Sequence, residues 1–256
     1  MANTISMGFD KNSLTIIDSV DSTNNYAMRL IKAGLAEAGS AFFAMEQTHG
    51  KGRQNKDWIT EKGQNILLSI VIVPAFLKLA RQFDLSVAVS LACVDFLKKY
   101  TEDIAVKWPN DIFWNDRKAG GILIENVIQG SDWKWSVIGI GININQTKFT
   151  MKNNFLPVSL KQITGKDFDI ITLAKELKKS VMKRYEALEN SFTFKAILAE
   201  YNEHLFGFNK KVKLKKDNAV FETTIIGVSL KGRLITADTI EREFNFNEVE
   251  WLNNPA

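Results

Sequence analysis

A glycine-interleaved basic run, residues 49–58, carries residue types that can bind an anion beside an aromatic ring. The run reads His-Gly-Lys-Gly-Arg-Gln-Asn-Lys-Asp-Trp. Gly50 and Gly52 relieve the steric limits on the main chain and let it approach a ligand closely. Lys51 and Arg53 can neutralise phosphate or carboxylate oxygens. The run therefore predicts an anion-binding loop, and a solvated surface loop with incidental charges fits it equally well.

A second polar run, residues 107–111, reads Lys-Trp-Pro-Asn-Asp, and Arg117 and Lys118 follow it. Turn chemistry at the end of a strand explains the Pro-Asn-Asp part but leaves the flanking Lys107 and Trp108 unexplained. Arg117 and Lys118 stand at the base of a predicted hairpin, where plain surface charge is an equally good interpretation. A lysine at the start of a strand that points into a glycine-lined pocket can instead stabilise charge that develops on a phosphoryl or carboxyl oxygen.

Composition bounds the class of protein. With 256 residues, 45% of them hydrophobic, the chain can bury one sizeable core and fold a small second domain. The formal net charge of +4 fits an anionic small molecule or an acidic partner protein, and it is too weak to indicate nucleic acid.

The cysteine, the two histidines and the lengths of the apolar runs limit where the protein can reside and whether it can hold a metal. Cys93 is the single cysteine, so no intrachain disulfide can form, and we interpret it as a small buried hydrophobe. The N-terminus has no signal-peptide pattern and the longest apolar run is too short for a bilayer, so we expect a cytoplasmic protein without membrane association. His49 and His204 do not stand in metal-ligand spacing, and we expect no built-in metal. A magnesium ion that binds together with the phosphates of a substrate does not need such spacing of protein ligands.

Hydrophobic periodicity and turn residues predict alternating strands and helices over most of the chain. Gly139 and Gly141 lie at alternate positions of one predicted strand, which indicates a ligand or a neighbouring backbone against that face. A side-chain oxygen of the Ser22-Thr23-Asn24 segment is expected to cap the first helix. The predicted strands are residues 14–18, 41–46, 65–73, 105–107, 112–114, 119–125 and 133–145, and the predicted helices are residues 25–33, 83–99, 173–188 and 194–205.

From residue 207 the pattern changes to short strands at regular spacing, which predicts a small β-barrel. The turn pairs Asp217-Asn218 and Lys231-Gly232 separate these strands. We therefore expect two domains, residues 1–206 and residues 207–256. The predicted strands of the second domain are residues 211–215, 219–228, 233–237 and 243–251.

Taken in order, these motifs resemble the biotin–protein ligase family. The matching pieces are Ser-Thr-Asn at residues 22–24, Glu-Gln-Thr-His-Gly-Lys-Gly-Arg at 46–53, Lys-Trp-Pro-Asn-Asp at 107–111, Gly-Ile-Leu-Ile-Glu at 121–125 and Gly-Ile-Gly-Ile-Asn-Ile-Asn at 139–145. The resemblance implies an α+β fold: a mixed sheet with flanking helices, similar to class II aminoacyl-tRNA synthetases, followed by a small SH3-like β-barrel.

The resemblance also implies roles for individual residues. The basic loop, residues 50–56, would close over the biotin carboxylate and the α-phosphate, and Trp58 would stack on adenine. Arg53 would retain the reactive intermediate, Lys118 would contact the biotin chain and the α-phosphate, and Asp111 would orient the incoming amine. The implied catalytic residues are Lys118, Arg53 and Asp111; the implied biotin-binding residues are Ser22, Thr23, Asn24, Gln47, Gly50, Lys51, Gly52, Arg53, Lys118 and Gly121; the implied nucleotide-binding residues are Arg53, Trp58, Lys107, Asn110 and Asn143.

The implied reaction has two steps. The carboxylate of biotin attacks the α-phosphorus of ATP, which is used with Mg²⁺, and gives biotinyl-AMP and pyrophosphate. A lysine amine on a biotin carboxyl carrier protein domain of a carboxylase then attacks the mixed anhydride, and AMP leaves. The protein's task would be to bring two anions together and then to shield the anhydride from water.

Two positions of the basic loop depart from the family pattern. The family commonly has arginine where Lys51 stands, a change that a phosphate contact tolerates. It commonly has glycine where Asn55 stands; asparagine also visits the left-handed region, so we expect the loop still to close, but less readily. About twenty residues precede Asp21, too few for a helix-turn-helix module, so we expect no specific DNA binding.

Two other functions stay open from the sequence. One is a lipoate or octanoate ligase from a related branch, which the match at Gln47 and at residues 107–111 disfavours. The other is a non-catalytic sensor that binds biotinyl-AMP. The oligomeric state also stays open, because exposed strand edges can pair across a homodimer.

Overall fold

The computed structural model describes residues 14–150, 155–189 and 194–252, and within these ranges the chain forms two β-sheets and five α-helices. The first seven strands are β1 (Thr15–Val20), β2 (Ala41–Gln47), β3 (Asn65–Ile72), β4 (Ile104–Lys107), β5 (Asp111–Trp114), β6 (Arg117–Gln129) and β7 (Asp132–Asn143). The helices are α1 (Thr23–Lys32), α2 (Gln82–Leu97), α3 (Leu160–Thr164), α4 (Ile170–Ala187) and α5 (Phe194–Glu203).

These seven strands form one mixed sheet in the order β1-β2-β3-β7-β6-β5-β4. β1 and β2 pair in parallel, whereas the other neighbouring strands pair antiparallel. The sheet and its flanking helices confirm the α+β fold that the sequence predicts. The hairpin of β5 and β6 turns at Asn115, as expected, and this residue takes the left-handed conformation with φ 51°.

The side chains of strand β3 show how the two faces of the sheet differ: α2 and α4 cover one face, and α1 covers only part of the other. Every residue of β3 is buried, and successive side chains point to opposite sides. Ile66, Leu68 and Ile70 belong to one apolar core with α2 and α4. Leu67 and Ser69 point the other way, toward the face that carries the candidate site.

Helix α2 has no polar stripe, because 13 of its 16 residues are buried between the sheet and the other helices. Cys93 lies in this helix and is fully buried, which confirms its interpretation as a core residue and raises the pKa of its thiol. Over the ranges that the structure describes, no helix is both long enough and apolar enough to cross a bilayer. Helix α1 packs on the opposite face of the sheet, against Phe42, Val71 and Val137.

The C-terminal strands form a second, five-stranded antiparallel sheet in the order β11-β10-β9-β8-β12. The prediction of one strand over residues 243–251 was wrong, because a turn interrupts it. The backbone N–H of Asn245 donates to the Glu248 carboxylate over 2.8 Å, and Asn247 takes a φ of 71°. The strands of this sheet are β8 (Lys211–Lys216), β9 (Ala219–Val228), β10 (Leu234–Ala237), β11 (Glu241–Phe244) and β12 (Glu250–Trp251).

Two further local predictions differ from the structure. Ser22 is the N-cap residue of α1 but makes no side-chain capping bond, so the predicted cap was wrong. The backbone N–H of Thr23 bonds instead to the side chain of Gln47 on β2, 2.8 Å away. Helix α3 was not predicted, because its five residues are too few to show a periodicity, although Ser159 and Gln162 form a capping box at its start.

Candidate active site

A large cleft of about 1260 Å³ lies on the face of the mixed sheet that α1 covers only in part. Pockets for one small ligand usually measure about 300–1,000 Å³, so this cleft has room for more than one reactant. Lys215, Lys216 and Trp251 bring the second sheet into its wall. The cleft brings together all the sequence-predicted site residues except Gly50: Ser22, Thr23, Asn24, Gln47, Lys51, Gly52, Arg53, Trp58, Lys107, Asn110, Asp111, Lys118, Gly121 and Asn143.

The floor of the cleft is a row of directly opposed residues on five neighbouring strands. Lys107 pairs with Asp111, Asp111 with Gly121, Gly121 with Gly141, and Gly141 with Leu67. Opposed residues in a sheet project on the same side. Strand register therefore places a cation, a carboxylate and two side-chain-free positions in one line.

A β-bulge places Lys118 on the same side as this row. Residues three apart on a regular strand point to opposite faces, which would separate Lys118 from Gly121. The register between β5 and β6 shifts at Ile112 and Phe113, so that Lys118 opposes Phe113 while Gly121 opposes Asp111. The Lys118 ammonium consequently pairs with the Asp111 carboxylate at 2.7 Å, with both side chains largely buried.

The glycines of β7 make space for two side chains rather than for a neighbouring backbone. A methyl group added to Gly141 would lie 2.5–2.7 Å from the indole atoms of Trp58. A methyl group on Gly139 would collide with the amide of Asn24. The Trp58 ring therefore rests on the floor, with the Lys118 ammonium 5.6 Å from its centre.

One end of the cleft is a neutral pocket, formed by Ser22, Thr23, Gln47 and Ser69. Gln47 Oε1 accepts hydrogen bonds from the backbone N–H of Thr23 at 2.8 Å and from its hydroxyl at 3.0 Å. Ser69 Oγ lies 2.7 Å from the Thr23 hydroxyl oxygen and 2.6 Å from Asn24 Oδ1. Ser69 is fully buried, so it supports the side chains of Thr23 and Asn24 from behind.

Asn24 supports the neutral pocket from below. Its amide nitrogen donates to the Glu125 carboxylate at 2.7 Å and to the carbonyl of Leu123 at 3.2 Å. These bonds fix which end of the amide faces Ser69. Asn24 therefore acts on the pocket through Ser69 in the ligand-free protein.

The basic loop folds back on itself through its main chain. The carbonyl of Gly50 accepts from the N–H of Trp58 at 2.8 Å, and the N–H of Gly52 donates to the carbonyl of Lys56 at 2.6 Å. Gly50 is buried behind the cleft wall, where a side chain would collide with the Trp58 carbonyl. Gln54 takes the left-handed conformation in this loop, with φ 56°.

The remaining loop positions point to different neighbours. The Lys51 ammonium donates to the Asn25 side chain at 2.9 Å, at the start of α1. The Arg53 guanidinium lies 3.4 Å from Asn110 Oδ1 and 4.9 Å from the ring centre of Phe246. Burial lowers the pKa of Arg53, and the charge of Asp111 opposes that shift. The side chain of Asn55 lies outside the described part of the structure.

Lys107 sits in an aromatic enclosure at the other end of the cleft. Its ammonium lies 4.5 Å from the ring centre of Phe155, 5.3 Å from Trp251 and 5.5 Å from Phe113. Burial lowers the pKa of Lys107 to about 8, while the charge of Asp111 opposes the shift. With Arg53 and Lys118 it forms the cationic centre of the cleft, and it is the member whose charge changes near physiological pH.

The two asparagines of the predicted nucleotide set use their amide nitrogens to hold the main chain. Asn110 donates to the carbonyl of Ile122 at 2.8 Å. Asn143 donates to the carbonyls of Lys118 and Val158, at 3.3 and 3.1 Å. Both amides thus fix the backbone around Lys118 and Gly121, and the Asn110 oxygen contacts the Arg53 guanidinium.

Four side chains that contact the predicted site residues were not predicted: Phe155 and Trp251 line the cleft, and Ser69 and Phe246 contact the lining residues Thr23 and Arg53. Ser69 is the one small polar residue in the apolar run of β3, a signal that a buried strand can give. The three aromatic residues lie far along the chain from the motifs that they contact. The spacing of residues within those motifs therefore cannot predict them. Within the described ranges, no group of three or more metal-ligating side chains occurs.

The geometry suits a ligand with a neutral polar end and an anionic middle. The neutral pocket offers uncharged donors and acceptors, and the cationic centre follows it along the sheet floor. The Trp58 ring lies over Gly141 beside Lys118 and offers a flat apolar face for a ring. Such a site can neutralise charge on carboxyl and phosphoryl oxygens without a side chain acting as a nucleophile.

The chain belongs to the biotin/lipoate A/B protein ligase family, whose sequence pattern matches residues 16–143, half of the 256 residues. The bifunctional ligase/repressor BirA of Escherichia coli strain K12 is 28% identical over 223 residues, which cover 79% of this chain and 67% of BirA. A biotin–[acetyl-CoA-carboxylase] ligase of Paracoccus denitrificans is 37% identical over 128 residues, 48% of this chain and 51% of that protein.

A solved structure supports the same assignment at the level of the fold. The biotin protein ligase of Aquifex aeolicus in complex with biotin and ATP superposes with a TM-score of 0.77 at 25% identity. The superposition covers 93% of this chain and 97% of the Aquifex chain, so it includes both sheets. The relatedness therefore extends beyond residues 16–143 to the arrangement of the C-terminal strands.

Proposed function

We propose that this protein is an ATP-dependent biotin–protein ligase. It would form biotinyl-AMP and then transfer biotin to a lysine of a biotin carboxyl carrier protein domain. The observation that carries the proposal is the Lys118–Asp111 pair, 2.7 Å apart, in a cleft that joins a neutral pocket to a cationic centre. Because the reaction consumes ATP, we place it in the cytoplasm.

In the first step, the neutral pocket would hold the ureido ring of biotin and direct its carboxylate toward the cationic centre. Lys118 and Arg53 would neutralise the carboxylate and the α-phosphate, whose mutual repulsion opposes their approach. Lys107 lies farther along the floor and would take the β- and γ-phosphates, which leave as pyrophosphate. Mg²⁺ would arrive bound to ATP and add charge neutralisation to that of the side chains.

In the second step, Asp111 would receive the incoming lysine. An anionic substrate competes with Asp111 for the Lys118 ammonium, so the pair seen in the ligand-free protein would loosen when the adenylate forms. The released carboxylate could then accept a hydrogen bond from the attacking amine and orient its lone pair. The amide bond forms as the anhydride carbon–oxygen bond breaks, AMP leaves with the electron pair, and the amine loses a proton.

The neutral pocket also favours biotin over lipoate or octanoate. Ser22, Thr23 and Gln47 line the pocket with polar side chains that a ureido ring can pair with. A dithiolane ring or an alkyl chain offers no matching donors and acceptors, which disfavours its binding there. A non-catalytic sensor would bind biotinyl-AMP in the same pocket, so this preference does not separate a ligase from a sensor.

We propose the boundary between the two domains at residues 206 and 207, and an SH3-like topology for the second domain. The Phe206 N–H still bonds to Val106 of the mixed sheet at 2.9 Å, and Gly207 takes a left-handed φ of 75°. β8 then begins the second sheet at Lys211. These observations support the boundary that the change in sequence pattern predicts.

Adenylation without an acceptor protein separates the three candidate functions. We expect the protein with Mg-ATP to make biotinyl-AMP from biotin, and to make the lipoyl or octanoyl adenylate far more slowly, as read by mass spectrometry. Gln47→Met keeps the side-chain volume but removes the polar atoms, so it should reduce the preference for biotin. Faster use of lipoate or octanoate would contradict the biotin assignment, and binding of biotinyl-AMP without its formation would indicate a sensor.

A further inference from the structure

Phe246 connects the C-terminal sheet to the basic loop. It lies in the turn between β11 and β12, and 40% of its surface is exposed. Its ring contacts the Trp108 ring at 5.3 Å and the Phe83 ring at 6.2 Å, both of which precede the second sheet in the chain. The Arg53 guanidinium lies over its face at 4.9 Å.

The surroundings of Phe246 are built to hold its position. The turn is closed by two hydrogen bonds from Asn245 to the Glu248 carboxylate, at 2.8 and 3.0 Å. Beside it, the buried indole of Trp108 donates to the carbonyl of Gly232 at 3.0 Å and joins the two sheets. The ring is therefore held from both sides of the domain junction, and the Arg53 guanidinium rests on its face.

We propose that Phe246 is a positioning residue that holds Arg53, and with it the basic loop, over the cleft before any ligand binds. A guanidinium on an aromatic face is attracted to it, and the planar group keeps one orientation there. Asn110 Oδ1 gives Arg53 its second contact, 3.4 Å away, from the floor of the cleft. Closure of the loop thus depends on the docked C-terminal sheet.

The consequence for catalysis rests on the proposed ligase function. A loop held near its closed position loses less conformational freedom when substrate binds. A protein without the Phe246 ring would therefore close the loop less completely over biotinyl-AMP and lose the intermediate faster. Arg53 carries this effect, so a protein that already lacks Arg53 should not respond to a change at Phe246.

Hydrogen exchange in the ligand-free protein tests the positioning role without requiring any activity. The amides of Gly52, Lys56 and Trp58 form hydrogen bonds inside the loop, so their exchange reports its opening. We expect Phe246→Leu to speed their exchange severalfold and Phe246→Tyr, which keeps the ring, to restore the original rates. Phe221→Leu is the matched control, because Arg242 lies 5.7 Å from that ring in the same sheet but outside the cleft.

Unchanged exchange at these three amides in Phe246→Leu would overturn the proposal. Equal acceleration throughout the C-terminal sheet would also overturn it, because the ring would then serve only the fold. The second arm measures the dissociation of biotinyl-AMP, which should be severalfold faster in Phe246→Leu and unaffected by that change in an Arg53→Ala background. If the unaltered protein forms no biotinyl-AMP, the ligase function fails while the exchange arm still decides the role of Phe246.

Discussion

At the residue scale, the ion pair of Lys118 and Asp111 is the feature on which the chemistry depends. The pair is largely buried and lies at 2.7 Å, beside Gly121, whose lack of a side chain leaves space for Trp58, Asp111 and Lys118. Each charge compensates the other in the cleft. A substrate anion can take the place of Asp111 at Lys118, so that the lysine charge stays paired while the carboxylate is released.

Removing the Lys118 ammonium should abolish most adenylate formation. We expect Lys118→Ala to lower the rate of biotinyl-AMP formation by about 100- to 1,000-fold, because the charge that develops on the phosphoryl oxygens loses a preorganised cation. Pyrophosphate release in single-turnover experiments measures this rate. Lys62→Ala is the control, since Lys62 also pairs with an aspartate at 2.7 Å but on the exposed surface. Adenylation at the original rate in Lys118→Ala would remove its assigned role.

Lys107 should give nucleotide binding a pH dependence above neutrality. Burial lowers its pKa from 10.5 to about 8, so the ammonium loses its charge as pH rises through about 8. We expect the KM for ATP to rise above that pH, and Lys107→Arg, whose charge persists, to flatten the profile. Parallel profiles in the two proteins would show that Lys107 does not contact the nucleotide.

The lowered pKa of Lys107 makes folding stability rise with pH, whereas we expect nucleotide binding to weaken. Between about pH 8 and 10.5 the unfolded chain binds more protons at Lys107 than the folded protein does. The contribution of Lys107 to the free energy of unfolding therefore rises with pH across that window. Below it, the charged ammonium destabilises the fold relative to a neutral amine, a cost that an anionic ligand would offset.

At the scale of elements, strand register does the positioning that individual residues cannot. The bulge in β6 sets Lys118 and Gly121 on one face, and the row through β4, β5, β6, β7 and β3 aligns the floor. The glycines of β7 matter because the rings and amides above them come too close for any side chain.

A methyl group on β7 should displace Trp58 from the floor. In Gly141→Ala the new carbon would lie 2.5 Å from the indole, so the ring must move. If Trp58 stacks on adenine, we expect a loss of nucleotide affinity of about tenfold, within the range for one base–aromatic stack. Gly34→Ala controls for stability, because its φ of +70° should cost about 1 kcal/mol of folding free energy without touching the cleft. Equal ATP affinity in Gly141→Ala and the unaltered protein, by calorimetry, would contradict the stacking role.

The helices behind the sheet are joined by Arg184 of α4. Its guanidinium pairs with Asp95 of α2 and Glu200 of α5, at 2.6 and 2.7 Å, and these partners raise its pKa. We expect Arg184→Met to lower the free energy of unfolding by about 1–2 kcal/mol, since the partners are partly solvated. Urea unfolding measures it against Arg233→Met, an exposed arginine–glutamate pair that should change stability by less than about 0.5 kcal/mol. Equal losses in the two variants would show that burial does not matter here.

The sequence predicts elements well where the pattern is long or the turn chemistry is strong. β3, the hairpin of β5 and β6, and helices α2, α4 and α5 all lie within a few residues of their predicted bounds. The errors have local causes. A five-residue helix has no visible period, Gln47 replaces the expected cap of α1 from another strand, and Asn245 with Glu248 breaks a segment that otherwise alternates like a strand.

At the scale of the whole molecule, the cleft belongs to both sheets. Trp108 joins them through Gly232, and Lys215, Lys216 and Trp251 close the cleft from the C-terminal side. The motifs near one another in the chain predict most of the floor and the basic loop. The aromatics around Lys107 and Arg53 could not be predicted, because only the docking of the second sheet brings Trp251 and Phe246 to them.

Transfer of biotin to an acceptor tests the central claim most directly. The protein is incubated with biotin, Mg-ATP and a biotin carboxyl carrier protein domain, and intact-mass spectrometry reads the acceptor. We expect the carrier to gain one biotinyl group, and to gain none when its acceptor lysine is changed to arginine. An unmodified carrier, beside a reference ligase that does modify it and with this protein shown to be folded, would rule out the ligase function.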